Sequence, residues 1–197
     1  MRLDLDAIAT AHPILPVQIR PLPPPFWKKK MSIKIMLDID GVLHPDAVYS
    51  PRNKPLELRA PGELFMHTDI LLEILAPYPD AEIILSTSWV RALGYERTLK
   101  KMPPKLKALV TGATWHKSMR HGNQDPFNWM TRYEQILAHV NRNNVQKWIA
   151  IDDLHSGYEV EQWPLKHRHL LVLTEESVGL GCPKAQADLI ETLDLQK

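Results

Sequence analysis

Short runs of apolar, often β-branched residues alternate along this chain with longer segments of amphipathic pattern. The short runs predict buried strands at residues 33–37, 81–85, 106–112, 147–153 and 169–174. The amphipathic segments predict helices at residues 69–75, 89–101, 131–140 and 184–193. Strands and helices that alternate in this way predict an α/β fold, a Rossmann-like sandwich whose central sheet is mainly parallel.

The polar residues with chemical potential follow the predicted strands directly. Asp38 and Asp40 come after the first strand, and Asp152-Asp153 end the fourth. Buried carboxylates are costly unless a cation or a hydrogen-bond network compensates them. Because ligands bind at the carboxyl ends of parallel strands, the pattern predicts a site with a metal at this edge.

The stretch Asp38-Ile39-Asp40-Gly41-Val42-Leu43 resembles the first motif of the haloacid dehalogenase (HAD) superfamily. The resemblance implies a three-layer HAD fold and a Mg²⁺-dependent phosphatase. It assigns Asp38 as the nucleophile that forms an aspartyl-phosphate, and Asp40 as the general acid and base. It also implies that Mg²⁺ is held by Asp38, the Asp40 carbonyl and Asp152 or Asp153.

Two further motifs of that superfamily have counterparts here. Ser86-Thr87-Ser88-Trp89 resembles the second motif, which implies that the Thr87 hydroxyl holds the phosphoryl group, with Ser88 as the next choice. Ser88 is also a candidate N-cap for the helix predicted at 89–101. For the basic residue of the third motif the resemblance implies Arg132, and Lys117 is the substitute.

Within the superfamily, the motifs together are most similar to the HAD domains of Swiss Army Knife RNA repair proteins. That likeness implies a substrate at nucleic-acid or nucleotide phosphate ends. The segments between motifs leave no room for a large cap domain, and the proline-punctuated segment from His44 to Gly62 corresponds to the mobile flap of HAD proteins. The resemblance covers roughly residues 33–193.

The loop at residues 113–130 is the part of the chain best suited to such a substrate. It interleaves basic and aromatic residues, among them Trp115, Lys117, Arg120 and Trp129. This composition fits contacts with phosphates and stacked bases, but an ordinary polar loop with two packed tryptophans fits it slightly better. His167 and His169 are interpreted as surface residues, because no third metal ligand lies near them in sequence.

Composition narrows the remaining choices. The chain of 197 residues has 24 basic and 23 acidic residues, and this balance gives no overall field for nucleic acid or membranes. A single cysteine excludes an internal disulfide, and no apolar run reaches the length of a membrane span. These features predict a cytoplasmic protein and leave its oligomeric state open. A P-loop motif is absent, so nucleotide-dependent phosphotransfer is unsupported.

The chain divides into a proline-rich arm, residues 1–30, and a phosphatase domain, residues 31–197. The arm either precedes the natural start at Met31, or packs on the domain through Phe26 and Trp27, or docks a partner. Two alternatives to a nucleic-acid phosphatase also stay open at this point. One is a small-molecule phosphatase, and the other is a non-enzymatic phospho-acceptor or binding module.

Overall fold

A five-stranded, all-parallel sheet forms the centre of the molecule. The computed structural model describes residues 32–50, 55–122, 124–153 and 162–197. The sheet comprises β1 (Lys34–Leu37), β4 (Glu82–Leu85), β5 (Val110–Ala113), β6 (Trp148–Asp153) and β7 (Leu171–Thr174), in the order β5-β4-β1-β6-β7. β1 is central, between β4 and β6, so its carboxyl end faces the ends of both neighbours. The predicted fold class is therefore confirmed.

Alternate residues of the strands pack into different layers, which explains their nearly continuous apolar sequences. Ile35 and Leu37 of β1 belong to a core cluster that includes residues of α1 (Thr68–Leu75) and α7 (Pro183–Asp194). Met36 faces the opposite side, where it packs with Ile136 of α5 (Arg132–Arg142). The sheet is thus covered on both faces, as expected for three layers.

Three predicted elements differ from the structure. The helix predicted at 89–101 is two helices, α2 (Ser88–Leu93) and α3 (Tyr95–Lys101), because Gly94 adopts a φ of 90°. The first part of the strand predicted at 106–112 is instead the end of α4 (Pro104–Lys107), which starts with a proline. His167 lies in α6 (Leu165–Arg168) and His169 follows it, so the strand predicted at 169–174 starts later, at Leu171.

The segment that corresponds to a flap contains two short strands, β2 (Val48–Tyr49) and β3 (Glu57–Leu58), which pair antiparallel. The described segments between the motifs form no separate cap domain. Within the described part of the chain, every helix is too short or too polar to cross a bilayer. The predicted arm lies outside the described residues, as do Phe26 and Trp27.

A turn near the end of the chain supports the loop that follows β1. Gly179–Gly181 form a short 3₁₀ helix, and the backbone N–H of Leu180 donates to the Val42 carbonyl at 2.9 Å. A Cβ at position 179 would lie 2.5 Å from that same carbonyl oxygen. Glycine at 179 therefore lets the two loops approach, which fixes the base of the segment from Asp38 to Leu43.

Candidate active site

Asp38 lies directly beyond the last residue of β1, at the centre of the carboxyl edge of the sheet. Its backbone N–H donates to the Ile151 carbonyl of β6 at 3.0 Å, which extends the strand pairing by one residue. The side chain accepts a hydrogen bond from the Ile39 N–H at 2.6 Å and is only 2 % exposed. The central strand thus delivers this carboxylate to a buried, fixed position.

Asp38 meets two acids from the end of β6. Asp38, Asp152 and Asp153 each offer a carboxylate oxygen, and the three oxygens lie within 4.8 Å of one another. All three side chains are buried. The structure thus brings together the acids at the ends of β1 and β6, and we refer to these three residues as the acidic triad.

Arg132, at the start of α5, reaches into the acidic triad. Its Nη2 donates to Asp38 Oδ2 at 2.8 Å, and its Nε lies 2.8 Å from Asp152 Oδ2 in an ion pair that is not aligned as a hydrogen bond. A capping box of Thr131 and Glu134 begins the helix at Arg132. The helix start is therefore well specified by sequence, and it places a guanidinium against the nucleophile that the motif predicts.

Burial and charge change the proton affinities of these groups in opposite ways. Burial raises the pKa of Asp152 well above its usual value, and the Arg132 guanidinium opposes part of this rise. Burial also lowers the pKa of Arg132, but Asp152 and Asp38 outweigh it and raise that pKa overall. The Arg132 guanidinium therefore stays charged. It is the positive group that the described neighbours offer to both Asp38 and Asp152.

Gly41 makes room for the acidic triad. Its φ is 66°, a left-handed conformation that side chains other than glycine rarely adopt. A Cβ at this position would lie 2.6 Å from the Cβ of Asp153, a clash that rotation of the aspartate side chain cannot relieve. The Gly41 carbonyl also accepts from Thr174 Oγ1 at 2.7 Å, which fixes the turn. Glycine is therefore required at position 41 both for its left-handed backbone and for the space that Asp153 occupies.

The side chain of Asp40 lies apart from the acidic triad and is held by two aromatic rings. Trp89 Nε1 donates to Asp40 Oδ2 at 2.7 Å, and His44 Nε2 lies 3.2 Å from Asp40 Oδ1. The side chain keeps 16 % of its surface exposed. Neither ring was assigned a role from sequence, although both residues adjoin the motifs. The Trp89 contact arises only when the ends of β1 and β4 meet, whereas His44 is only four residues from Asp40 in sequence.

Thr87 and Ser88 lie where β4 ends and α2 begins. Thr87 Oγ1 accepts from the Trp89 N–H at 3.4 Å, so Thr87 is the N-cap of the helix and the proposal of Ser88 for this role was wrong. The Thr87 hydroxyl retains its own proton to donate. Thr87, Ser88 and Arg132 line one cavity of about 190 Å³, together with Arg91.

Lys117 lines a different cavity from the one that Arg132 lines. It is exposed, on a short 3₁₀ helix, and lines a cavity of about 510 Å³ with His116, Arg97 and Arg120. Arg91 lines both this cavity and the one beside Thr87, and it pairs with Asp125 at 3.4 Å. Basic side chains thus extend from the motifs toward the loop at 113–130, where Trp129 is 87 % exposed.

A family model that describes the HAD domain in Swiss Army Knife RNA repair proteins matches residues 34–185, well over half of the chain. The chain belongs to this family. The predicted resemblance is confirmed, and membership implies activity of the phosphohydrolase type for this HAD domain. No curated protein and no solved structure matches the chain.

The acidic triad fits the metal ion that HAD chemistry implies. Its ligands are hard carboxylate oxygens, the donors that Mg²⁺ and Ca²⁺ prefer. Arg132 alone can balance one of its three negative charges, and a divalent cation has the charge to balance the other two. Gly41 leaves the space that Asp153 needs to join the group. The donor set is therefore suited to a divalent metal.

Proposed function

We propose that this HAD domain is a Mg²⁺-dependent phosphohydrolase that works through an aspartyl-phosphate on Asp38. The observation that carries the proposal is the placement of Asp38 between Arg132 and the two acids of β6, with Asp40 two residues away on a separate set of contacts. Phosphoryl transfer needs a positioned nucleophile and balanced charge more than it needs covalent groups. This geometry offers both.

The chain's own residues divide the reaction between them in two displacements. In the first, an Asp38 oxygen bonds to phosphorus while the bond to the leaving oxygen breaks, and protonated Asp40 gives that oxygen its proton. In the second, Asp40 takes a proton from water as the water oxygen bonds to phosphorus and the Asp38–phosphorus bond breaks. Asp40 is thereby returned to its first state.

The phosphoryl oxygens need donors throughout both displacements. Arg132 uses part of its guanidinium on Asp38 and Asp152, and further N–H groups of its fork remain for phosphate. Thr87 supplies a hydroxyl, and Ser88 is exposed at the same cavity. Mg²⁺ bound by Asp38, Asp152 or Asp153 and the Asp40 carbonyl would offset the repulsion between carboxylate and phosphate.

We further propose that the substrate is a phosphate at a nucleic-acid or nucleotide end. Family membership supports this class, since the family model is drawn from RNA repair proteins. The cavities that lead from Thr87 past Arg91 to Arg120 and Lys117 offer cations beyond the scissile phosphate. An absent cap domain in the described segments leaves the site open enough for a polymer end.

The experiment that tests the activity measures phosphate release with Mg²⁺ and with excess chelator. A generic aryl phosphate, a panel of phosphorylated metabolites, and oligonucleotides with 3′- or 5′-phosphates serve as substrates. Asp38→Asn is the control, because it removes the nucleophile and one buried charge while keeping the side-chain volume. We expect Mg²⁺-dependent turnover by the wild type and none by the variant, which should remain folded.

The outcomes separate the candidate functions. Turnover of oligonucleotide ends supports the proposal, and efficient turnover of a single metabolite alone would replace it with a small-molecule phosphatase. Phosphate that stays on Asp38 without release would indicate a phospho-acceptor. Robust turnover in excess chelator, or wild-type rates for Asp38→Asn, would contradict the mechanism itself.

A further inference from the structure

The carboxylate of Asp40 is gripped at both oxygens by ring N–H groups from different elements. The Trp89 indole can only donate, so its 2.7 Å contact with Asp40 Oδ2 has one interpretation. His44 is the first residue of the flap segment, whereas Trp89 lies in α2, and both rings are buried. Two elements that are distant in sequence thus converge on one catalytic carboxylate.

The tautomer of His44 follows from the hydrogen bond at its other ring nitrogen. His44 Nδ1 lies 3.2 Å from the backbone N of Phe65, and a backbone N–H can only donate. Nδ1 must therefore be the acceptor, which puts the ring proton of the neutral imidazole on Nε2. Nε2, 3.2 Å from Asp40 Oδ1, then donates to that oxygen. The hydrogen-bond network assigns this tautomer.

Phe65 adopts an unusual backbone conformation to make this contact. Its φ is 65°, a left-handed conformation that residues with a side chain rarely adopt. Its ring packs edge-on against His44 at 5.5 Å and against Trp89 at 5.6 Å. Strain of this kind persists where the surroundings demand it, and it often marks functional sites.

We infer that Trp89 and His44 are positioning residues that fix the Asp40 carboxyl for proton transfer, and that Phe65 fixes His44. The inference rests on the proposed function, in which the Asp40 proton passes to the leaving oxygen as the phosphorus–oxygen bond breaks. Holding both oxygens prevents the carboxyl from turning toward the acidic triad, whose members do not include the Asp40 side chain. Metal binding and proton transfer are thereby kept on separate carboxylates.

The test compares two substrates that differ in their need for the proton. A nitrophenyl phosphate has a good leaving group, whereas an alkyl phosphate releases a poor one and depends on general acid catalysis, which contributes about 10²–10⁴-fold. The parameter is kcat/KM, which covers the steps up to leaving-group departure and excludes hydrolysis of the intermediate. A positioning role predicts unequal losses on the two substrates, and a merely structural role predicts equal losses.

Trp89→Phe removes the N–H and keeps most of the ring. We expect it to lower kcat/KM about tenfold or more for the alkyl phosphate and only a few-fold for the nitrophenyl phosphate. Trp148→Phe is the matched control, since it replaces another buried indole, one that packs on the other face of the sheet. That control should leave the ratio between the two substrates unchanged.

His44 allows a rescue within the same experiment. Gln at this position can accept from Phe65 and donate to Asp40, whereas Leu can do neither. We therefore expect His44→Leu to reproduce the selective loss of Trp89→Phe and His44→Gln to recover most of it. Equal losses on both substrates, or no recovery with Gln, would overturn the inference while the proposed function stood.

A measurement that needs no turnover completes the test. In ¹⁵N-labelled protein, Asp40→Ala should shift the indole N–H resonance of Trp89 and leave that of Trp148, on the other face of the sheet, in place. An unchanged Trp89 resonance would refute the contact. If the resonance shifts but the wild type hydrolyses no phosphomonoester with Mg²⁺, the proposed function fails and the role in proton transfer fails with it.

Discussion

Replacing Gly41 by alanine adds one carbon atom next to Asp153 and tests whether the acidic triad needs the space that glycine leaves. The left-handed backbone, with φ of 66°, costs alanine about 1–2 kcal/mol. The added Cβ would also lie 2.6 Å from the Asp153 Cβ, and overpacking of a buried position costs about 1–3 kcal/mol more. We expect a total loss in the free energy of unfolding of about 3 kcal/mol, or roughly 10 °C in Tm.

The same substitution should affect metal binding more than stability. Asp153 is fully buried and must shift to admit the methyl group, whereas metal–ligand distances tolerate changes of only about 0.2 Å. We expect Mg²⁺ or Mn²⁺ affinity, measured by calorimetric titration, to fall by about 100-fold. Phosphatase activity should fall at least as far.

Gly122→Ala is the matched control for this experiment. Gly122 has a φ of 60°, close to that of Gly41, but a Cβ there would meet nothing within 4 Å. It should therefore show the backbone cost alone, about 1–2 kcal/mol, with normal metal binding. Suppose that Gly41→Ala had the same Tm as Gly122→Ala and bound metal like the wild type. Both the crowding at Asp153 and the part of Asp153 in the metal site would then be refuted.

Three further predictions concern the loop, the arm and the buried histidine of α5. Replacing both Lys117 and Arg120 by Ala should weaken turnover of a phosphorylated oligonucleotide, with a loss relative to the wild type that shrinks as salt rises, and leave a small aryl phosphate unaffected; equal effects would place both residues in the core site. A chain that begins at Met31 should keep its Tm and activity, and a large loss of Tm would show that Phe26 and Trp27 belong to the core. Burial, with Arg142 and His116, lowers the pKa of His139 to about 4. Because this folded-state value lies below the unfolded value of about 6.5, the histidine's contribution is present above pH 6.5 and is lost as pH falls toward 4. Urea unfolding should show about 3 kcal/mol less stability over that interval, and His139→Gln should flatten the slope; an equal slope in both proteins would disprove it.

The fold and the ends of its strands were predictable because each depends on local sequence. A buried parallel strand must be apolar on both faces, so β1, β4 and β6 could be predicted from apolar runs that end in polar residues. The capping box at Thr131 likewise marks the start of α5 and brings Arg132 to the sheet edge. Parallel topology alone then places Asp38, Asp152 and Asp153 together.

What sequence did not predict depends on backbone detail or on packing between distant segments. Gly94 divides a region of continuous helical pattern because it adopts a positive φ. Leu106 is a buried residue of α4, although its apolar neighbours in sequence indicated a strand. The contact of Trp89 with Asp40 requires α2 to meet the end of β1, 49 residues away in sequence, which no local pattern encodes. Thr87 caps α2 where Ser88 was considered, a difference of one residue that propensity does not resolve.

The central claim, that Asp38 carries the phosphoryl group, is tested most directly by trapping it. Asp40→Asn, which lacks the proton carrier for hydrolysis of the intermediate, is mixed with an aryl phosphate and Mg²⁺, quenched with acid and analysed by peptide mass spectrometry after borohydride reduction. The account predicts modification of the peptide at Asp38, and none with chelator or in the Asp38→Asn/Asp40→Asn double variant. Modification of a different residue, or wild-type phosphate release with no trapped Asp38 under any of these conditions, would contradict it.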